Sequence, residues 1–306
     1  MTDAQEIDPR TNGVVIDAIT ATVAYSDVFE MPVRIDQLHP WLIGAEVSAD
    51  KLLAAVDDAV ESGAVVNTNG RLHLPGSGDV VDIAEAREAL AVELWPTARK
   101  WARVIARLPF VRMIGVTGGL ACDSVEPYDD IDLFIVVAPG RLWLTRLAIV
   151  ALARAVDVRG PELCPNYIVA TDTLEFDVRS VYVAREIAQM IPLHGELVYR
   201  DILAKNDWYL DHVPNHEPIR VARKGSVAGP GVVRRILERA LAASVFDRLE
   251  RWEMQRKVQK LTTVSSRRDE VGRPDESSFS PSVCKGHMVG NAAGIDVAWR
   301  ERWASR

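Results

Sequence analysis

The chain has 306 residues, 48% apolar and 26% charged, an ordinary globular balance with length for one large or two modest cores. No uninterrupted apolar run of about 18 residues is present, which argues against a membrane span, and the acidic, polar start MTDAQEIDPRTNG reads as neither signal nor transit peptide. Cys122, Cys164 and Cys284 form no CxxC pair, which gives neither a disulfide framework nor a zinc knuckle and fits a reducing, cytoplasmic setting. The net charge of −7 hides an asymmetry: residues 1–80 carry thirteen acids against four bases, and residues 216–268 carry thirteen bases against five acids.

Residues 12–80 read as a winged-helix-like module. Val15, Ile16, Ile19 and Val23 form one helical stripe, and Ile35, Leu38 and Leu42 a second. Ser48 is placed to cap a third helix with apolar positions Leu52, Leu53, Val56 and Val60, stopped by Gly63. AVVNTNGRLHLPG then reads as two strands about Asn69-Gly70, a strong hairpin signal. Phosphate binding needs Lys and Arg. Here the third helix offers Asp50, Asp57, Asp58 and Glu61 against Lys51, and the wing only Arg71. DNA reading is therefore not favoured, and a structural or protein-docking role is the expectation.

Residues 81–178 form the next expected unit. Its leading helix, 81–108, is predicted to be split by Pro96. VRMIGVTGG is a strand entering a glycine turn, DIDLFIVV a second strand, WLTRLAIVALARAV a helix and CPNYIVAT a third strand. Residues 179–306 read as a helical C-terminal region. It comprises a helical stretch over 179–213 broken at Pro192 and a long basic helix over 232–262 striped by Val233, Leu237, Leu241, Val245 and Leu249. A polar mobile loop near 264–282 and a last segment that docks back through Val289, Ile295, Val297, Trp299 and Trp303 complete it. Lys224–Gly231 reads as a flexible linker, since its order is wrong for a phosphate loop. Cys122 reads as a packed residue. Lys285, after the polar loop, reads as surface decoration, with a lysine folding over a triphosphate as the sharper alternative.

Phosphoryl transfer from a nucleotide needs close backbone approach to phosphates, which favours a glycine turn, and carboxylates that hold divalent metal. Thr117-Gly118-Gly119 supplies the first, and after ten intervening residues Asp130-Ile131-Asp132 supplies the second. Alternation along a strand places Asp130 and Asp132 on one face and Ile131, Leu133 and Ile135 on the other. Two acids at the start of an apolar strand call for a neutralising cation, for which Mg²⁺ serves.

In Gly118, Gly119, Asp130, Asp132 and the strand–helix–strand order over residues 110–175, the chain resembles the DNA-polymerase-β-like nucleotidyltransferase superfamily. The N-terminal helices and the pieces GRLWLTR, LCPNY and NDWYLDHVPN also look like a bacterial subgroup that joins a winged-helix segment to such a domain. The resemblance implies an α+β fold, with a polymerase-β-like nucleotidyltransferase domain between the N-terminal module and a helical C-terminal part. It implies a nucleoside triphosphate donor lying along Thr117, Gly118 and Gly119, and Mg²⁺ (or Mn²⁺) held by the catalytic pair Asp130 and Asp132. An acceptor hydroxyl, on a small molecule, protein or RNA, would take the nucleoside monophosphate and release pyrophosphate. Members usually carry a third acid on the strand after the intervening helix. CPNYIVAT has none, Asn166 stands near the expected place, and Asp172 and Glu175 follow it. A catalytically silent nucleotide-binding or docking relative is therefore the alternative, with a winged-helix nucleic-acid-binding regulator behind it.

Overall fold

The computed structural model describes residues 9–77, 79–156, 163–218, 232–268, 278–286 and 291–305, and mixes helix and strand as an α+β protein. The expected linker at 224–231 lies outside the described residues, as do residues 269–277 of the expected mobile loop.

The N-terminal module runs α1 (Pro9–Asp27), β1 (Val33–Arg34), α2 (Ile35–Trp41), α3 (Ala49–Glu61), β2 (Val66–Thr68) and β3 (Arg71–His73), with its sheet in the order β1-β3-β2. Asn69 and Gly70 turn the hairpin with φ of 54° and 78°, values that Asn and Gly tolerate best. Two details differ from expectation. Ser48 stands at the N-cap of α3 without a side-chain cap bond, and Leu53 faces outward, because Ala55 and Ala59 complete the buried stripe with Leu52 and Val56. Arg71, the wing's single base, is buried and bidentate to Glu88 at 2.7 and 2.8 Å, so it is not offered to a phosphate.

Helix α4 (Val80–Ile105) is continuous through Pro96, contrary to the expected split. Proline removes one backbone hydrogen bond, but Trp95, Ala98, Trp101, Ala102 and Ile105 bury one face across that point and hold the axis together. Strand β4 (Val111–Val116) then enters a single helical turn, α5 (Gly118–Ala121), and β5 (Ile131–Val137), α6 (Leu142–Val156) and β6 (Leu163–Ala170) follow.

Next come α7 (Val181–Gln189), β7 (Ile191–His194), α8 (Glu196–Lys205) and a 3-10 turn (Asp207–Asp211). The stretch expected to be helical but for a break at Pro192 thus contains a strand. Proline cannot donate to a ladder, and β7 is an edge strand, where that loss is tolerated. The expected single basic helix is two, α9 (Val232–Leu241) and α10 (Ser244–Arg268), and Ser278–Phe279 and Val283–Lys285 form β8 and β9 where loop was expected. Helix α11 (Asn291–Ala304) docks back as foreseen, with the Trp299 indole N–H donating to the Ala21 carbonyl on α1 at 2.8 Å, but Val297 and Trp303, also expected to dock, are exposed. Val289 lies outside the described residues.

The second sheet has the order β7-β4-β5-β6-β9-β8; only β5 and β6 pair in parallel, as the crossover through α6 requires. Alternation along β5 feeds two cores. Ile131, Leu133, Ile135 and Val137 pack with α4 and α6, whereas Phe134 and Val136 join α7 and the N-terminal module. Among the described residues no helix is long and apolar enough to cross a membrane.

Candidate active site

Antiparallel pairing brings the end of β4 against the start of β5, with Val116 opposite Leu133 and the Thr117 N–H donating to the Asp132 carbonyl at 3.1 Å. The glycine turn and the acids, ten residues apart in sequence, are neighbours for that reason. Gly118 has φ of +65°, and a Cβ there would stand 2.6 Å from Asp132 Oδ2. A Cβ on Gly119 would stand 2.3 Å from the Ser124 carbonyl oxygen. Both positions thus exclude a side chain, one through backbone conformation and close approach and the other through close approach alone.

The loop between the motifs is anchored. The Trp95 indole N–H donates to Asp123 at 2.8 Å, the Glu126 N–H to Asp129 at 2.7 Å, and the Ser124 N–H to the Gly119 carbonyl at 2.8 Å. Asp123 and Glu126 are therefore structural, Glu126 also pairing with Arg87. Asp129 is exposed. Cys122 is a packed thiol, pushed up to about 12 by burial and thereby kept from acting as a nucleophile.

Asp130 is exposed just ahead of β5, and Asp132 is half-buried within it. Among the described residues no group of three or more His, Cys, Asp and Glu side chains converges to hold a metal ion. Two carboxylates still fit Mg²⁺, which uses one or two carboxylates together with substrate phosphates and water rather than a full protein cage. The space that a Gly118 side chain would take lies against Asp132 Oδ2, so the absence of a side chain at Gly118 lets the turn approach that carboxylate.

On the same side of the sheet lies a cleft of about 400 Å³. Thr117 borders it, and Phe134 and Tyr167 form part of its wall. Among the described residues its acids are Glu175, Asp177 and Glu186; Asp172 is exposed and does not line it. The side chain of Asn166 lies outside the described residues.

Glu186 is the residue that strand-by-strand reasoning misses, because it comes from α7. It is half-buried, and among the described residues no group donates a hydrogen bond to its carboxylate. Burial, and next the charge of Asp132, push its carboxyl up from 4.5 to about 7, against the smaller pull of Arg185 and Lys285. One sequence signal could have found it: a glutamate inside the mostly apolar run VYVAREIAQMIPL.

Lys285 also belongs to the cleft rather than the surface. Pairing of β9 with β6 sets it opposite Tyr167, and its Nζ lies 5.9 Å from the Tyr167 ring centre.

The turn, both aspartates, Glu186 and the cleft thus gather at one end of the β4–β5 pair. No protein-family model, curated protein or solved structure matches this chain.

Proposed function

We propose that the protein is a nucleotidyltransferase of the polymerase-β-like type, with a winged-helix-like N-terminal module, and that it moves a nucleoside monophosphate from a nucleoside triphosphate to an acceptor hydroxyl. The observation that carries this reading is the fit of Gly118 against Asp132, where a glycine turn and a carboxylate share a space with no room for a side chain. The antiparallel β4–β5 pair followed by parallel β6 across α6 supports it.

The turn at Thr117, Gly118 and Gly119 takes the donor phosphates, since the first N–H groups of a helical turn have no partner within it. Asp130 and Asp132 would hold Mg²⁺, which when bound supplies charge neutralisation at the phosphate oxygens. The acceptor oxygen attacks the α-phosphorus, and a new P–O bond forms. The bond to the bridging oxygen breaks, and pyrophosphate leaves with that electron pair. The acceptor's proton passes to Glu186, the carboxylate in place beside Asp132. No covalent protein intermediate is required, so the rate comes from positioning and charge.

Calorimetry with each of the four common ribonucleoside triphosphates and Mg²⁺ tests the reading. Binding is expected to need the metal and to be lost in Asp130→Asn/Asp132→Asn; binding that survives this double substitution would overturn the site. A silent nucleotide-binding relative is the second reading, favoured by the absence of a converging three-acid group among the described residues. It predicts binding without pyrophosphate release. The burial of Arg71 against Glu88 weighs against nucleic-acid recognition by the wing.

A further inference from the structure

We infer that the cleft beside Asp132 is the acceptor subsite, and that it takes a small hydroxyl-bearing organic cation with a flat apolar face. The inference rests on the nucleotidyl-transfer reading for the word acceptor, but the chemistry of the ligand follows from the walls.

Phe134, Tyr167 and Phe176 form a mutual cluster, with ring centres 5.1, 5.9 and 6.0 Å apart and planes tilted or edge-to-face. Such a wall offers ring faces to an apolar surface and to a cation. A cation already uses it: the Lys285 ammonium stands over Tyr167.

The carboxylates set the sign of the ligand. Asp177 and Glu186 line the cleft, and among the described residues neither carboxylate has a hydrogen bond or ion pair. Glu175 has only Lys205 at 3.9 Å, with both side chains largely exposed. Among the described residues a triphosphate entering here would meet three acids against Lys285, so the donor phosphates belong at the glycine turn and not in this space. Nucleic acid and other polyanionic acceptors are disfavoured for the same reason. A volume of about 400 Å³ suits a small molecule. An ammonium group would sit against Asp177 and the aromatic wall, and the reacting hydroxyl would face Glu186, next to Asp132.

Matched probes test this: tyramine, which has a ring, a hydroxyl and an ammonium, and 3-(4-hydroxyphenyl)propanoate, which exchanges the ammonium for a carboxylate. Ligand-observed NMR on the full chain should show tyramine binding and little binding of the acid. Asp177→Asn and Glu186→Gln, both close in shape, should each weaken tyramine at least tenfold. Equal binding of the two probes, absence of tyramine binding, or insensitivity to both substitutions would overturn the proposal. Displacement of tyramine by Mg·ATP in a competitive manner would assign the cleft to the donor and overturn it as well. Calorimetry of Mg·ATP on the same samples keeps the two readings apart. Nucleotide binding without tyramine binding sinks only the acceptor class. Tyramine binding without nucleotide binding leaves an organic-cation site and sinks the transferase.

Discussion

A side chain at Gly118 would meet the Asp132 carboxylate at 2.6 Å, so the glycine turn and the acid strand are fitted to one another directly. Gly118→Ala therefore adds a clash with Asp132 to the cost of a left-handed conformation, itself about 1–2 kcal/mol. Urea unfolding should show a loss of at least that size. Calorimetry should show Mg·nucleotide affinity reduced tenfold or more, whereas unchanged affinity would mean that the turn does not shape the site.

Asn206 is fully buried and holds the wall of the cleft. Its Oδ1 accepts from the Phe176 N–H at 2.8 Å, and its Nδ2 donates to the Leu174 and Ile202 carbonyls at 2.7 and 2.8 Å. Asn206→Ala leaves the Phe176 N–H and the Leu174 carbonyl without this partner, at roughly 2–4 kcal/mol, whereas the Ile202 carbonyl keeps the Asn206 main-chain N–H at 3.1 Å. The Phe176 amide should lose hydrogen-exchange protection, and tyramine binding should weaken with it.

Glu250 joins two distant helices. From α10 its carboxylate accepts from the Trp143 and Leu144 N–H groups at 2.7 and 2.9 Å, capping the first turn of α6. Glu250→Ala should cost about 2–3 kcal/mol and Glu250→Gln less, read as shifts in the denaturation midpoint. A neutral outcome for Glu250→Ala would show that α10 is held by its apolar contacts alone.

Glu186 predicts a dependence on pH in metal-free buffer with chelator. Its folded value is raised from 4.5 to about 7, so the folded state binds the proton more tightly than the unfolded chain does. The associated stability is complete below pH 4.5 and is lost as pH rises through 7. Glu186→Gln cannot titrate, so its stability relative to wild type should increase between pH 5 and pH 8. A constant difference across that range would place Glu186 at its ordinary value.

Much of this architecture was legible in local pattern. Alternation in IDLFIVV, the Asn69-Gly70 turn and the spacing of Gly118 from Asp132 rest on period-two geometry and on backbone preferences of single residues, which a sequence displays directly. The return of apolar residues in the last segment likewise announced that it docks, which Trp299 does. Other features had no local mark. Pro192 argued for a break in a helix, yet an edge position in the sheet, known only once β4 is in place, makes it a strand residue. Lys285 looked like surface because its place is set by pairing with β6, more than a hundred residues earlier. Glu186 was invisible to a search along strands because α7 delivers it from across the sheet. By itself the sequence determined the N-terminal helices and hairpin, the strands and helix about the motif, and the glycine–aspartate pair, whose geometry is written in short-range sterics. The tertiary structure alone decided which distant charges close the site, because burial and Coulomb energy depend on separation in space and not along the chain.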